Sequence, residues 1–284
     1  MLHFPPTENN FFITDTPQKF NFIPTTAIEQ QLLQIPIPYI AGHCSVCQDT
    51  THLQFSPAFY TAIQQQTFVN WREDLSCECC HFNARMRATV ELIQYLIAQQ
   101  LPRETYISEA VTPLYHHLST RLPKLIGSEF LGIDKVGGKV YEYLGQSVQH
   151  EDLTHLSFAN ESFDLILSFD VLEHVSAYHQ AFNEIYRVLT KGGRFLFSVP
   201  IHLDKSKTLI RATQDTKGHI THLLPPEYHG DPVNQAGVLC FQDFGLDINL
   251  LLRKIGFRYV KFIVAQSAKK YYLGKGHIFL YVEK

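Results

Sequence analysis

The sequence predicts an α/β protein with a mostly parallel sheet and a small metal-binding module near its N-terminal end. From residue 104 onward, short apolar strands alternate with helical patterns, as in a parallel sheet covered by helices. Before this region lie two Cys-x-x-Cys pairs. We therefore divide the chain into residues 1–101, which hold an N-terminal arm, a zinc-ribbon module and a linking helix, and residues 102–284, which form the α/β domain.

The composition indicates a packed globular protein. Of the 284 residues, 45% are hydrophobic and 13% aromatic, which is too apolar for a disordered chain. The net charge of −3 provides no broad basic surface, so nucleic acid is not expected as a partner. The sequence contains no run of 18 apolar residues and no secretory signal pattern, so we expect no membrane span and a cytoplasmic location.

The paired cysteines predict a zinc site formed by Cys44, Cys47, Cys77 and Cys80. A gap of two residues lets one tight turn direct two thiolates at a single tetrahedral ion. Four thiolates leave no open coordination position, so the zinc would be structural. Two disulfides or four separately buried thiols are the alternatives, and a reducing compartment favours ligands over disulfides. Cys79 is the odd member beside the second pair.

Each remaining element has a local signal. Met86, Val90, Ile93 and Ile97 recur at helical spacing and predict a linking helix from residue 84 to about 101, with Arg85 and Arg87 as surface charges. In the α/β domain, apolar runs predict strands, while amphipathic spacing and Gly or Pro at the ends predict helices. These predictions are strands at 105–111, 125–129, 163–169, 258–265 and 276–283, a strand after Gly192-Gly193, and helices beginning at Pro113 and spanning 177–189 and 245–256.

Three runs carry a resemblance to a known family: His150–Phe158, Phe163–Val175 and Lys191–Pro200. They resemble the nucleotide-binding domain of class I S-adenosylmethionine (SAM) dependent methyltransferases of type 11. The resemblance covers about residues 104 to 284. It implies a Rossmann-like sheet with an antiparallel C-terminal strand, and SAM as the cofactor.

The resemblance also assigns parts of the cofactor site. Asp152, after a predicted third strand, occupies the position that reads the adenine in the family, and Leu153 follows it. The loop after strand 4 faces the methionine end of the cofactor in the family, which makes Ser168 and Asp170 further candidates.

Two more acids come from their position at strand ends. Glu129 lies twenty residues after Glu109, where doubly wound nucleotide-binding folds place an acid that binds ribose hydroxyls. Glu109 is expected to stabilise the positive methionine amino group. The turn Ser108–Thr112 departs from the family because it lacks the usual glycines, and no Gly-x-Gly-x-x-Gly turn typical of nicotinamide dehydrogenases is present.

Two further segments carry a second resemblance. The segments Cys77–Arg87 and Pro226–Pro232 are similar to segments of bacterial methyltransferases that carry a zinc ribbon. An insert at about 201–240 follows strand 5, at the edge where open α/β sheets bind ligands, so we expect it to line the acceptor pocket. His229 is the favoured general base, with His174 and His202 as further catalytic candidates. A second metal site from the histidines of the insert is an alternative, although their spacing fits no compact ligand pattern.

Two functions remain open from the sequence. The first is an enzyme that transfers a methyl group from SAM to a small-molecule or carbohydrate-like acceptor, with structural zinc. The alternative is a catalytically inactive methyltransferase-like module whose zinc ribbon docks a protein partner. The polar insert favours the enzyme, and the missing glycines favour the module.

Overall fold

The computed structural model describes residues 10–17, 20–22, 24–34, 39–55, 60–63, 66–215, 217–230 and 236–284. The chain forms two compact units. The first consists of residues 1–101 and 263–278, and the second of residues 102–262 and 279–284. The sequence analysis did not anticipate that 263–278 group with the first unit. Asp231 and Pro232 of the insert lie outside the described residues.

The first unit contains short strands and two helices before the unit boundary. They are β1 (Phe11–Thr14), α1 (Thr26–Leu33), β2 (Tyr39–Cys44), β3 (Asp49–Gln54), β4 (Tyr60–Ile63), β5 (Gln66–Val69), β6 (Ser76–Cys77) and α2 (Ala84–Gln99). The linking helix is confirmed as α2. It begins where the Asn83 side chain accepts a hydrogen bond from the backbone N–H of Met86 at 2.9 Å, a typical N-cap.

The arm is more regular than the sequence indicates. Its strand β1 lies beside the C-terminal strand β19 (Tyr259–Ser267), and the N–H of Gln266 donates to the carbonyl of Asn10 at 2.8 Å. Strands β2, β3 and β6 form an antiparallel three-stranded sheet, and β4 pairs with β5. The arm has no periodic pattern because its pairing partner lies at the other end of the chain.

The prediction that Arg87 is a surface charge is wrong. Its side chain is fully buried and its guanidinium donates to the carbonyls of Lys270 and Leu75, at 3.0 and 3.3 Å, while lying 5.5 Å from the Tyr272 ring centre. The Tyr272 hydroxyl in turn donates to Glu91 at 2.8 Å. Periodicity cannot reveal this role, because the carbonyls come from distant segments.

The second unit contains the α/β elements and the insert. The elements before the insert are β7 (Thr105–Ile107), α3 (Pro113–Ser119), β8 (Leu125–Gly127), β9 (Val140–Tyr143), β10 (Gln146–Gln149), β11 (Phe163–Phe169), a 3₁₀ helix (Leu172–His174), α4 (Tyr178–Val188) and β12 (Leu189–Ser198). The later elements are β13 (Leu209–Ile210), β14 (Ala212–Gln214), β15 (Ile220–His222), β16 (Tyr228–His229), β17 (Val238–Leu239), β18 (Gln242–Asp243), α5 (Ile248–Ile255) and β20 (Tyr272–Glu283), together with β19.

The main sheet has the order β19-β20-β12-β11-β7-β8. Strands β8, β7, β11 and β12 are parallel, and β20 runs antiparallel to β12. This mixed sheet confirms the predicted fold class. Its centre is apolar, because the inward residues Leu165, Leu167 and Phe195 are all fully buried.

The predicted third strand is not a member of this sheet. Strands β9 and β10 form a separate hairpin, and a single parallel bridge between Glu129 and His150 joins this region to the end of β8. Leu144 and Gly145 both have positive φ, as a tight hairpin turn requires. Because of this turn, β9 and β10 pair with each other and not with the main sheet.

Within the described residues, no helix is long and apolar enough to cross a membrane.

Candidate functional site

The four predicted zinc ligands lie together in the first unit. The sulfur atoms of Cys44 and Cys80 are 3.7 Å apart, those of Cys47 and Cys77 are 3.8 Å apart, and all four lie within 4.8 Å of one another. A tetrahedral ion with Zn–S bonds of about 2.3 Å requires sulfur atoms about 3.8 Å apart. All four cysteines are free of disulfides. The cluster therefore fits a zinc module.

Two equivalent turns build this cluster. Each Cys-x-x-Cys pair is followed by a residue in the left-handed region, Gln48 with φ 58° and His81 with φ 62°. Each of these residues donates its N–H to the carbonyl of the first cysteine of its pair, at 2.9 and 2.8 Å. Cys79 is exposed and lies 3.2 Å from the Thr51 hydroxyl, outside the cluster.

A cleft in the second unit lies where the parallel strands end. Its lining comes from the ends of β7, β8, β10 and β11, from the 3₁₀ helix and from β14. The lining residues are Tyr106, Ser108, Ser128, Phe130, Ile133, Glu151, Asp152, Leu153, Thr154, Val171, His174, Val175, Ser176, Ala177 and Gln214. This is the edge at which open α/β sheets bind ligands.

Three of the predicted site residues line the cleft: Asp152, Leu153 and His174. The Asp152 carboxylate accepts hydrogen bonds from the N–H and the hydroxyl of Thr154, at 2.8 and 2.7 Å, which fixes the turn after β10. Tyr106 donates or accepts a 2.8 Å hydrogen bond with Ser128. Burial raises the pKa of Tyr106, so this phenol stays neutral at physiological pH.

Glu129 shapes the turn that lacks glycine. One of its carboxylate oxygens, Oε1, accepts hydrogen bonds from the N–H groups of Ala110 and Val111, at 2.7 and 3.1 Å. The neighbouring Glu109 is buried and accepts a hydrogen bond from the Thr112 hydroxyl. The acid at the end of β8 thus holds the backbone of this turn, a role that the sequence did not indicate.

Ser168 and Asp170 do not line the cleft described above. Ser168 is buried and accepts a 2.8 Å hydrogen bond from Ser108, which is the cleft-lining member of the pair. Asp170 has a positive φ of 54°, and its side chain accepts a hydrogen bond from Ser198 at 2.9 Å. A non-glycine residue in this region is uncommon and marks a constrained bend after β11.

Tertiary structure brings His174 and His229 onto one buried carboxylate. Glu173 Oε1 lies 3.7 Å from His174 Nε2 and 3.7 Å from His229 Nδ1. The two imidazole rings meet edge to face with centres 5.0 Å apart. Burial raises the pKa of the Glu173 carboxyl, and Glu173 in turn raises the pKa of His229. The group can therefore hold a proton beside the cleft.

The insert folds back onto the 3₁₀ helix to make this group. The backbone N–H of Phe241 donates to the Glu173 carbonyl at 2.9 Å, and the buried Gln242 side chain donates to the Leu172 and Val175 carbonyls at 2.6 and 3.2 Å. Gln242 is a positioning residue that the sequence analysis missed, since no local pattern distinguishes it.

His202 lies in a different cluster. Its Nε2 is 4.0 Å from Asp243 Oδ2, and the same carboxylate pairs with Lys205 and Arg211 at 2.9 and 3.2 Å. His202 does not line the cleft described above.

Glu173 is a site residue that the sequence analysis missed, although it directly precedes His174. Its burial and its contact with the distant His229 are tertiary features.

One sequence comparison bears on the second unit. Residues 123–197, which run from before β8 to near the end of β12, match the family model described as a methyltransferase domain. This part of the chain is similar to a methyltransferase domain. The match includes Glu129, Asp152 and Glu173, and it ends before the insert. No curated protein sequence matches the chain.

Several solved methyltransferase structures are similar to this chain at low identity. A SAM-dependent methyltransferase from Mesorhizobium loti is 17% identical, with 65% of this chain and 91% of that chain covered and a TM-score of 0.40. A 1,6-didemethyltoxoflavin-N1-methyltransferase from Burkholderia thailandensis, with bound 1,6-didemethyltoxoflavin and S-adenosylhomocysteine, is 16% identical over 71% of this chain and 78% of that chain, with a TM-score of 0.41. A Haloferax volcanii methyltransferase complex with the activator Trm112 gives 14% identity, coverages of 70% and 89%, and a TM-score of 0.41.

Proposed function

We propose that this chain transfers a methyl group from SAM to a hydroxyl or amine of a small-molecule acceptor, with a saccharide as one such acceptor. The observation that carries the proposal is the cleft at the ends of the parallel strands, whose lining includes both Asp152 and His174. A cofactor side and a nucleophile side in one cleft are what an in-line transfer needs, because alignment supplies most of the rate.

The cofactor side consists of polar and apolar groups that fit an adenosine. Asp152 offers a carboxylate for the exocyclic amine of adenine, and Leu153 and the half-exposed Phe130 offer apolar contacts to its ring. When bound, SAM supplies an electrophilic methyl group on a sulfonium. Glu129 is proposed to bind the ribose hydroxyls, which would share its carboxylate with the amides of Ala110 and Val111.

The methionine end of the cofactor is proposed to lie toward the turn after β7. Glu109 would stabilise the amino group there by charge. Asp170 would shape this end through the bend that follows β11. Ser168 would orient the cleft-lining Ser108 in the same region, because it accepts a hydrogen bond from the Ser108 hydroxyl.

On the acceptor side, His229 is proposed to take the proton from the acceptor. Its ring lies between two carboxylates, with Nδ1 3.7 Å from Glu173 and Nε2 3.5 Å from Glu227. A histidine whose pKa is raised by such neighbours is a stronger base than a free imidazole. Glu227 is itself fixed by Arg211 at 3.0 Å, so the ring has a defined orientation.

Calorimetric titration with SAM and with S-adenosylhomocysteine tests the proposal. The wild-type protein should bind both. Asp152→Ala should weaken SAM affinity about 10- to 100-fold, since a lost hydrogen bond to a charged group costs about 1.5–3 kcal/mol. Asp204→Ala, at an exposed position in the insert, is the matched control and should bind like the wild type.

Absence of SAM binding in the folded wild-type protein would sink the enzymatic proposal. It would leave the alternative, a methyltransferase-like module that docks a protein through its zinc ribbon. Equal SAM affinity in Asp152→Ala and wild type would instead show that the adenine lies elsewhere.

A further inference from the structure

The side chain of Glu173 is an unusual buried group. It is fully buried, and neither of its carboxylate oxygens has a hydrogen-bond partner in the described residues. An unpaired buried carboxylate is costly, and such groups are normally paired or coordinate a metal ion. Its nearest polar neighbours include the ring nitrogens of His174 and His229, both at 3.7 Å.

The three donor atoms have the spacing of a ligand set. Glu173 Oε1, His174 Nε2 and His229 Nδ1 all lie within 4.8 Å of one another. Ligands each about 2.1 Å from one ion lie about 3.0–3.4 Å apart, so small side-chain shifts would close the set around an ion. The set contains two imidazoles and one carboxylate, which suits Zn²⁺, Fe²⁺, Mn²⁺ or Co²⁺ and leaves coordination positions open.

Both histidines are oriented as ligating histidines usually are. His174 Nδ1 lies 2.9 Å from the Leu239 carbonyl, so this nitrogen carries the proton and Nε2 presents its lone pair toward Glu173. His229 Nε2 faces Glu227 at 3.5 Å, which leaves Nδ1 toward Glu173. Metal-ligating histidines typically donate their second N–H to a carbonyl or a carboxylate in this way.

We propose that Glu173, His174 and His229 bind one divalent transition-metal ion, at a second metal site distinct from the four-cysteine cluster. The sequence disfavours a second metal site, because the spacing of the insert's histidines fits no compact ligand pattern. Folding of the insert overrides that spacing, because it carries His229 onto the Glu173–His174 pair.

The consequence for catalysis rests on the proposed function. His174 lines the cleft, so an ion held by it would stand beside the acceptor side. An acceptor hydroxyl at an open coordination position would lose its proton to solvent water more readily, since a bound cation lowers the pKa of its oxygen ligands. In the metal-loaded protein, His229 would then act on the acceptor through the ion.

Titration with Co²⁺ tests the second site without any acceptor, in full-length protein that carries one equivalent of zinc, enough for the four cysteines alone. Calorimetry gives the stoichiometry and the affinity, and visible absorption distinguishes cobalt with nitrogen and oxygen ligands from cobalt bound to thiolates. Zinc should remain on the four cysteines, because Co²⁺ binds more weakly than Zn²⁺ in the usual affinity order. Wild type is expected to bind one Co²⁺ per chain with the nitrogen and oxygen spectrum.

Variants assign that site to the three residues. Affinity for Co²⁺ should fall at least about tenfold in His229→Ala and in Glu173→Gln, each of which removes one ligand. His222→Ala, an exposed histidine of the same insert, is the matched control and should bind like the wild type. If Glu173→Gln does not fold, the His229→Ala variant, at a partly exposed position, tests the proposal by itself.

No Co²⁺ binding by wild type, or equal binding by wild type and His229→Ala, would overturn the proposal. A SAM titration of the same samples separates it from the proposed function. Co²⁺ binding without SAM binding would support the metal site and refute the enzymatic proposal. SAM binding without Co²⁺ binding would refute the metal site and leave the enzymatic proposal standing.

Discussion

Replacing Glu129 with alanine should loosen the turn after β7. In the native structure the Glu129 carboxylate accepts two backbone hydrogen bonds, from Ala110 at 2.7 Å and from Val111 at 3.1 Å. Hydrogen bonds to charged groups contribute about 1.5–3 kcal/mol each when buried. Glu129 is only partly buried, and water can replace part of what is lost. We therefore expect Glu129→Ala to lower the free energy of unfolding by about 1.5–3 kcal/mol in total.

Glu129→Gln is the matched control, because the glutamine side chain keeps one carbonyl oxygen at the same reach. It should lose less than about 1 kcal/mol, since the hydrogen bonds remain but lose their charge assistance. Urea denaturation followed by circular dichroism gives the stability. Hydrogen exchange of a peptide spanning residues 108–115 reports directly on the two amides, which should exchange faster in Glu129→Ala than in Glu129→Gln.

Unchanged exchange and an unchanged urea midpoint in Glu129→Ala would refute the assigned turn. The same variants also probe the cofactor proposal. SAM affinity should fall about 10- to 100-fold in Glu129→Ala, through the loss of both the turn and the ribose contact. A variant with a disordered turn and native SAM affinity would show that the cofactor does not touch this region.

The remaining predictions concern the two metal-related clusters and the buried arginine. Elemental analysis should find one zinc fewer per chain in Cys77→Ser than in Cys79→Ser, and equal zinc contents in the two variants would contradict the ligand set. Arg87→Met should destabilise the first unit by about 2–4 kcal/mol in thermal or urea unfolding, because it removes the donor to the Lys270 carbonyl and to the buried Leu75 carbonyl. Arg85→Met, whose guanidinium is partly exposed, should cost less, and equal losses would refute the reasoning. His229→Ala should lower turnover about 10²- to 10⁴-fold with SAM affinity intact, measured as S-adenosylhomocysteine formation; a collapse of cofactor affinity would place the insert in the SAM site.

The sequence by itself determined the features whose physics is local. The zinc ligands follow from two-residue gaps, because such a gap makes a turn that directs two thiolates to one point. The helix α2 and the strands β11 and β20 follow from periodicity, because burial on one face or on both faces leaves a repeating pattern in the chain. The order of these elements then led to the sheet class.

Tertiary structure decided every feature in which a side chain serves a distant segment. The helical spacing of Arg87 does not distinguish it from an exposed residue, but its guanidinium is buried because it donates hydrogen bonds to the carbonyls of Lys270 and Leu75. The sequence placed Glu129 at a strand end but could not show that its carboxylate holds the turn at Ala110.

The group around Glu173 is the clearest case. Its members lie on the loop after β11 and on the insert, and no spacing rule joins them. They meet because the backbone N–H of Phe241 and the side-chain amide of Gln242 donate hydrogen bonds to carbonyls of the 3₁₀ helix, which holds the end of the insert there. The periodicity of apolar residues predicts which face of a helix or strand is buried. It does not predict which distant segment packs against that face.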